Sequence, residues 1–295
     1  MTEFLQLAFQ GFSLGCTYAL IGLGFVVIFR ASNVLNFAQG AMLLVGAYLI
    51  SWLAVDVGVP FLVAVLVAAS LLTLGGAGFQ AVVLRRVTGQ PPFVIAMITI
   101  GAGIALVAGV EAIWGPEQRL LGDPWGSSSF QVGGVTIGWV KLWGIVVTAV
   151  AVAGYFAFDR YTRSGLAIRA IAGDEEATLS VGVPVRRMHA ITWGLAGALA
   201  TLGGLFLAGF PGAPQPTLGD AALRAFPAIV LGGLTSPVGA VIGGVVIGIV
   251  EVMTSGYAPD WTGANFYAVA PYIVMIAVLL VRPYGLLGRA PAERL

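Results

Sequence analysis

Two groups of polar residues interrupt a chain that is otherwise close to continuous hydrocarbon, and each points to a different kind of work. The first comprises Gly173, Asp174, Glu175, Glu176, Ala177, Leu179 and Gly182, within DRYTRSGLAIRAIAGDEEATLSVGVPVRRMH from Asp159 to His189. That stretch carries five of the 14 basic residues (Arg160, Arg163, Arg169, Arg186, Arg187) and four of the 13 acids. Asp174 can cap a helix, the two following acids suit its positive end, Gly182 can stop it, and Pro184 follows. The spacing predicts a short helix from about Asp174 to Val181, with Ala177, Leu179 and Val181 as its small apolar surface. Two turns are marginal in water, so the helix needs a support. On one reading it lies on lipid headgroups; on the other it is a knob that docks on a cytoplasmic partner and receives force from it.

The second group is Asn33, Asn36, Gln39 and Gly40 in ASNVLNFAQG, directly before an apolar run. Unsatisfied backbone is costly in hydrocarbon unless it faces protein or a water-filled cavity, so a broken helix here would mark a transport pathway. A solvated loop before an ordinary span is the alternative.

Other chemistry is excluded by what the sequence lacks. The one lysine, Lys141, sits in GWVKLW, so no phosphate-cradling GxxxxGK[ST] loop can form and the chain does not hydrolyse ATP by itself. A single histidine, His189, rules out HExxH, and SxxK does not occur; no metal or catalytic residues are assigned. Intramembrane carboxylates, which ion-coupled carriers need, are scarce: Glu111 and Glu251 lie near span ends. Glu251 is the more interior, and reads as a structural hydrogen-bonding group or a proton relay. Cys16, the sole cysteine, cannot form an internal disulfide and reads as a small buried residue.

The elements that must position these groups are membrane helices. Of the 295 residues 59% are hydrophobic and 9% charged, and mean hydropathy is +0.97. Runs approaching the roughly 20 residues of a bilayer-crossing helix favour a bundle over a barrel. The fold class expected is all-α: a polytopic membrane helix bundle, read as a single transmembrane domain over residues 1–295 with a cytoplasmic loop at 159–189. Spans are expected at about 4–29, 40–54, 60–84, 93–114, 142–158, 190–210 and 266–281. MTEF lacks the basic region of a cleavable signal, so the first run reads as retained. The stretch 221–254 is too long for one span and is interrupted at Thr235, Ser236 and Pro237, giving two short apolar halves. The total is seven spans plus a hairpin, or nine. Basic turns at Arg85 and Arg86 and at Arg282, Arg289 and Arg294 place the C-terminus in the cytoplasm and the N-terminus outside.

Within this frame Gly11 and Gly15 form a GxxxG pair, suited to packing inside the bundle or to a dimer seam, and Gln6 and Gln10 could bond a neighbouring helix. Residues 115–139 read as an outer loop with interfacial Trp114, Trp125 and Trp139. AQGAMLLVGAYLI (Ala38 to Ile50) and PVGAVIGGVVIGI (Pro237 to Ile249) echo one another, as related halves or by chance.

Three long segments in order, Gly15 to Leu49, Arg163 to Met188 and Leu223 to Glu251, together with RPYGLLGR at Arg282 to Arg289, resemble the LivH-type permeases of branched-chain amino acid ABC importers. The resemblance spans nearly the whole chain. It implies a subunit of the prokaryotic cytoplasmic membrane, embedded in lipid and without nucleic acid, that pairs with a second related (LivM-like) permease. It further implies an external solute-binding protein and cytoplasmic ATPase subunits, with ATP and Mg held on the ATPase and no cofactor on this chain. Asp174 to Gly182 would then be the coupling helix, and Asn36, Gln39 and Gly40 match the polar entry to the second span. Gln39 stands where the family often has histidine, which argues against an essential titrating group there. Related permeases serve branched-chain or other amino acids, urea or amides. An ion-coupled secondary carrier of small polar solutes is the alternative, and an intramembrane enzyme finds no support in these residues.

Overall fold

A computed structural model describes residues 2–87, 89–125, 128–209, 214–216, 218–259, 263 and 265–288. Arg289 and Arg294, and much of the proline-rich turn at 211–220, lie outside the described residues.

The first helix, α1 (Thr2–Ser32), is the axis of the bundle: every residue from Gly15 to Ile28 is buried. A helix that is apolar all round can be covered only by other helices. Its main partner is α11 (Pro237–Tyr257), which runs antiparallel to it. Gly11 meets Ile249, Gly15 meets Val245, and Gly244 and Gly248 meet Ala19 and Gly15 in return. A methyl group on Gly15 would lie 2.6 Å from the Val245 Cα, and one on Gly244 2.6 Å from the Ala19 nitrogen. Lipid chains are as apolar as leucine, so association here rests on close backbone packing, which only glycine permits. The GxxxG pair thus serves packing within the chain.

Around this pair stand α2 (Gln39–Ser51), continued by one π-helical turn, α3 (Phe61–Val82), α4 (Pro92–Trp114), α5 (Trp139–Tyr161) and α8 (Val185–Leu207). Glycines repeat the device where α8 crosses α2 and α3: Gly194 against Thr73, and Gly46 against Thr201. The two outer helices bury one narrow stripe each, Thr99, Gly103 and Val110 on α4 and Gly144, Thr148 and Tyr155 on α5, and expose large apolar side chains elsewhere. In a membrane that exposed surface faces hydrocarbon.

Among the described residues seven helices are long and apolar enough to cross a membrane, and two apolar helices are shorter. The interrupted stretch differs from two short halves. Its first part is α9 (Leu218–Ala221), a 3₁₀ turn and α10 (Phe226–Gly232), whereas its second part is the full-length α11. Ser236 sets the boundary: its side chain accepts from the Gly239 N–H at 3.0 Å with Pro237 in the first helical turn. The remaining short apolar helix is α12 (Phe266–Val281).

Within the 115–139 loop, β1 (Ser129–Val132) and β2 (Val135–Gly138) form an antiparallel hairpin through Gly133 and Gly134, both at positive φ. Gln6 bonds this hairpin and not a helix: it donates to the Thr136 carbonyl at 2.9 Å and accepts from the Thr136 N–H at 2.7 Å.

Enlarging the seam glycines tests the packing. Gly15→Leu or Gly248→Leu should cost at least the ~1–3 kcal/mol of core overpacking, since the obstacle is backbone. Gly75→Ala, which meets nothing within 4 Å, should be neutral or stabilising by up to ~1 kcal/mol. Membrane accumulation and thermal unfolding in detergent measure both.

Candidate functional site

The predicted short helix is α7 (Glu175–Ser180), joined through Asp174 to the end of α6 (Arg163–Gly173). Asp174 caps it, its carboxylate accepting the Ala177 N–H at 3.0 Å. At the other end Gly182, at φ +84, allows a Schellman closure: the Gly182 N–H donates to Leu179 O at 3.0 Å and the Val183 N–H to Thr178 O at 3.3 Å. Thr178 is the buried residue of the turn, whereas Leu179 is 52% and Val181 77% exposed. The helix is therefore closed at both ends and displays its apolar side chains outward.

Beneath it, Ile168, Ile171, Val185 and Met188 pack with Ala31 at the end of α1. Asp159, at the end of α5, joins three elements: one carboxylate oxygen lies 3.2 Å from Arg30 of α1 and the other 3.2 Å from Arg169 of α6. Arg169 also bonds the Asp159 carbonyl. The His189 ring nitrogen Nε2 lies 2.9 Å from the Ala31 carbonyl. These contacts connect α6, which leads into α7, to the ends of α1 and α5.

The four candidate pathway residues separate into two roles. Asn33 ends α1 in the left-handed region at φ +52, a conformation that asparagine tolerates. The chain then turns back along α1, so that Gln39 starts α2 beside Gly24. Gly24 precedes Ser32 by eight residues, about 12 Å of helix rise, so the break lies well inside the bundle. There Asn36 and Gln39 are fully buried and bonded. Asn36 donates to Gln39 Oε1 at 3.1 Å and accepts the Ala38 N–H at 3.0 Å; Gln39 donates to the Ala196 carbonyl of α8 at 3.3 Å. The Phe37 N–H donates to Thr99 Oγ1 of α4 at 3.2 Å. These side chains satisfy a backbone that no helix satisfies.

Asn36 and Gln39 line neither of the two cavities on either side of them. Toward the α7 end lies a cavity of about 530 Å³, which takes in Asn33 together with Gly173, Asp174, Glu175, Glu176 and Leu179. Toward the opposite end, one of about 620 Å³ takes in Gly40, Phe25, Glu111, Gly219 and Leu223. The structure brings Asn33 to the α7 group and gives Gly40 to the far cavity. Ala177 and Gly182 line neither.

One polar cluster went unread in the sequence. The Tyr18 hydroxyl donates to Glu251 Oε2 at 2.7 Å, and Arg224 Nη1 lies 3.8 Å from Glu251 Oε1, so the interior carboxylate links α1 and α11 to the interrupted segment. The pair is 233 residues apart in sequence, and no local pattern announces it.

Residues 7–279 match the family described as branched-chain amino acid transport system, permease component. This chain belongs to that family. The permease is 32% identical over 312 residues to the high-affinity branched-chain amino acid transport system permease protein LivH of Salmonella typhimurium, covering 99% of this chain and 97% of the relative. It is 31% identical to LivH of Escherichia coli K12 (99% and 97%) and 29% identical to BraD of Pseudomonas aeruginosa (99% and 98%). No solved structure matches it. As a permease component it is a multi-span, non-catalytic membrane subunit.

Removing the Tyr18 hydroxyl leaves a buried carboxylate oxygen without its donor. Tyr18→Phe should lower stability by roughly 1–3 kcal/mol, and Glu251→Leu in the same background should recover most of it, because both partners are then apolar. Thermal unfolding of the purified variants reads both.

Proposed function

We propose that the permease is the membrane pathway of an ATP-driven importer of branched-chain amino acids in the cytoplasmic membrane. In this reading residues 1–295 act as one transmembrane domain, with 159–189 as its cytoplasmic loop. A second, LivM-like permease completes the pathway, an external solute-binding protein delivers substrate, and cytoplasmic ATPase subunits hold ATP and Mg. The substrate follows from the named relatives, LivH and BraD, which are branched-chain amino acid permeases and match over almost the whole chain.

The observation that carries the coupling assignment is α7. A two-turn helix closed at both ends, with Leu179 and Val181 turned outward, is built to present a surface and not to complete this chain's own core. Asp174, Glu175 and Glu176 sit at its exposed start, and Gly173 and Gly182 flank it. Through Asp159 and the cluster around Ile171, movement imposed on α7 reaches the end of α1, which borders the break at Asn33 to Ala38. The Asn36 and Gln39 amides would hold that break closed, and Asn33 and Gly40 would meet substrate on the two sides of it.

Replacing Asp174 and Glu175 together with arginine should lower ATP-dependent uptake at least tenfold in the reconstituted complex while hydrolysis continues. Asp174→Asn, which keeps a capping side chain, should retain most of the coupling. Uptake of wild-type magnitude in the double arginine variant would overturn the assignment of α7. Binding of labelled leucine, isoleucine, valine and short amides to the partner solute-binding protein tests the substrate.

A further inference from the structure

A further hollow opens between α3 and α4, on the surface that the membrane covers. The two helices follow one another in sequence and each packs against α2, but an apolar groove of about 700 Å³ separates them. Gly75, Gly78 and Val82 of α3 and Ala102 and Ala105 of α4 line it, and the buried side chain of Trp193 on α8 also borders it. The glycines of the helix seams are crowded by backbone, whereas a methyl group on Gly75 or Gly78 would meet nothing within 4 Å. The space beside these two is not used by the chain itself. None of the described lining residues is charged, and an apolar hollow left empty forfeits the dispersion contacts of every atom on its wall.

Extent and charge decide between a lipid and a helix as the occupant. Along α3 the groove runs from Leu71 to Val82, about 16 Å of helix rise, which is roughly half of the ~30 Å hydrocarbon core. A helix of another subunit crosses the whole core, whereas an acyl chain occupies one leaflet. The groove lies in the half toward α7, because Gln80 and Leu84 from the same end of α3 line the cavity that takes in Asp174, Glu175 and Glu176. Arg85 and Arg86 follow Val82 by about one turn, and both are exposed. Arg186 stands at the same level. The helix α8 runs antiparallel to α3, with Trp193 at Gly76 and Gly197 at Leu72, so that Arg186 before Trp193 matches Val83 after Gly76. The α7 acids border another face of α3: Gln80 lies two residues, about 200° around the helix, from Val82. An apolar groove one leaflet deep with arginines at its end matches a lipid that carries a negative headgroup.

We propose that the groove between α3 and α4 holds an acyl chain of an anionic phospholipid of the cytoplasmic leaflet, with the lipid phosphate at Arg85 and Arg86. The inference shares with the importer reading only the placement of the α7 end in the cytoplasm. Trp193 borders both this groove and the cavity at the α7 end, so the bound chain supports a wall of that cavity from the lipid side.

The test uses the permease purified from its membrane with the subunits that accompany it, stripped of lipid in detergent. It is titrated with phosphatidylglycerol or phosphatidylcholine carrying the same brominated acyl chains, which quench nearby tryptophan. Trp193 fluorescence is isolated as the difference from Trp193→Phe. Saturable quenching is expected, at least fivefold tighter for phosphatidylglycerol than for phosphatidylcholine. Arg85→Gln combined with Arg86→Gln should bring the two lipids within twofold of one another. Gly78→Leu, whose first side-chain carbon meets nothing within 4 Å, should weaken quenching by both lipids at least tenfold and leave the lipid-free unfolding temperature unchanged or higher. Equal affinity for the two lipids in the wild type, or a Gly78→Leu affinity within twofold of wild type, would overturn the proposal. Absence of quenching by either lipid would overturn it as well and assign the groove to a helix of another subunit.

Discussion

The whole arrangement depends on how closely α1 and α11 approach. In lipid the solvent is as apolar as the side chains, so two helices gain by touching only if they touch over many atoms. Gly11 and Gly15 on one and Gly244 and Gly248 on the other allow backbone to lie on backbone, with no flexible side chain to absorb movement. Gly46, Gly194 and Gly197 do the same where α8 crosses α2 and α3. The result is a stiff frame of α1, α2, α3, α8 and α11, with α4 and α5 laid on its outside. Interrupted segments can be tolerated only because this frame does not yield.

Against the frame, the break before α2 is a local solution to a strict requirement. Within the six non-helical residues before α2, Asn36 and Thr99 accept the Ala38 and Phe37 N–H groups that a helix would have bonded, and Gln39 holds Asn36 in place from α8. One cavity adjoins the short capped helix and the other adjoins the second interrupted segment. The Asp159 ion group ties the loop at 159–189 to the frame at a single carboxylate shared by two arginines.

Much of this was legible in the residues. Hydropathy located the long helices other than α11 to within a few residues, and Asp174, Gly182 and Pro184 specified α7 because caps act over one turn. The run of Asn33, Asn36, Gln39 and Gly40 marked the break. Its depth was not legible, since that is set by where Gln39 meets Gly24 on another helix. Nor was the fate of Asn36 and Gln39, which turn to each other and to α8 instead of lining a cavity. Tyr18 and Glu251 are far apart in sequence, and hydrophobic periodicity carries no information about which distant helix a residue will face. The stretch 221–254 reads as two short apolar halves because Thr235, Ser236 and Pro237 interrupt it, although a proline in the first turn begins a helix as readily as it breaks one. The hairpin at Gly133 and Gly134 carried a local signal in its paired glycines, flanked by valines that can pair across a two-residue turn.

The short α10 helix is finished by residues far downstream. The Leu286 N–H donates to the Leu231 carbonyl at 2.8 Å and the Leu287 N–H to the Gly232 carbonyl at 3.1 Å. Those carbonyls close the C-terminal end of α10, and their donors are translated about 55 residues later, after α11 and α12 (286 minus 231). During synthesis the end of α10 therefore lacks these donors until the residues after α12 have been made, so the second interrupted segment is closed by a contact from later in the chain and not by its own neighbours.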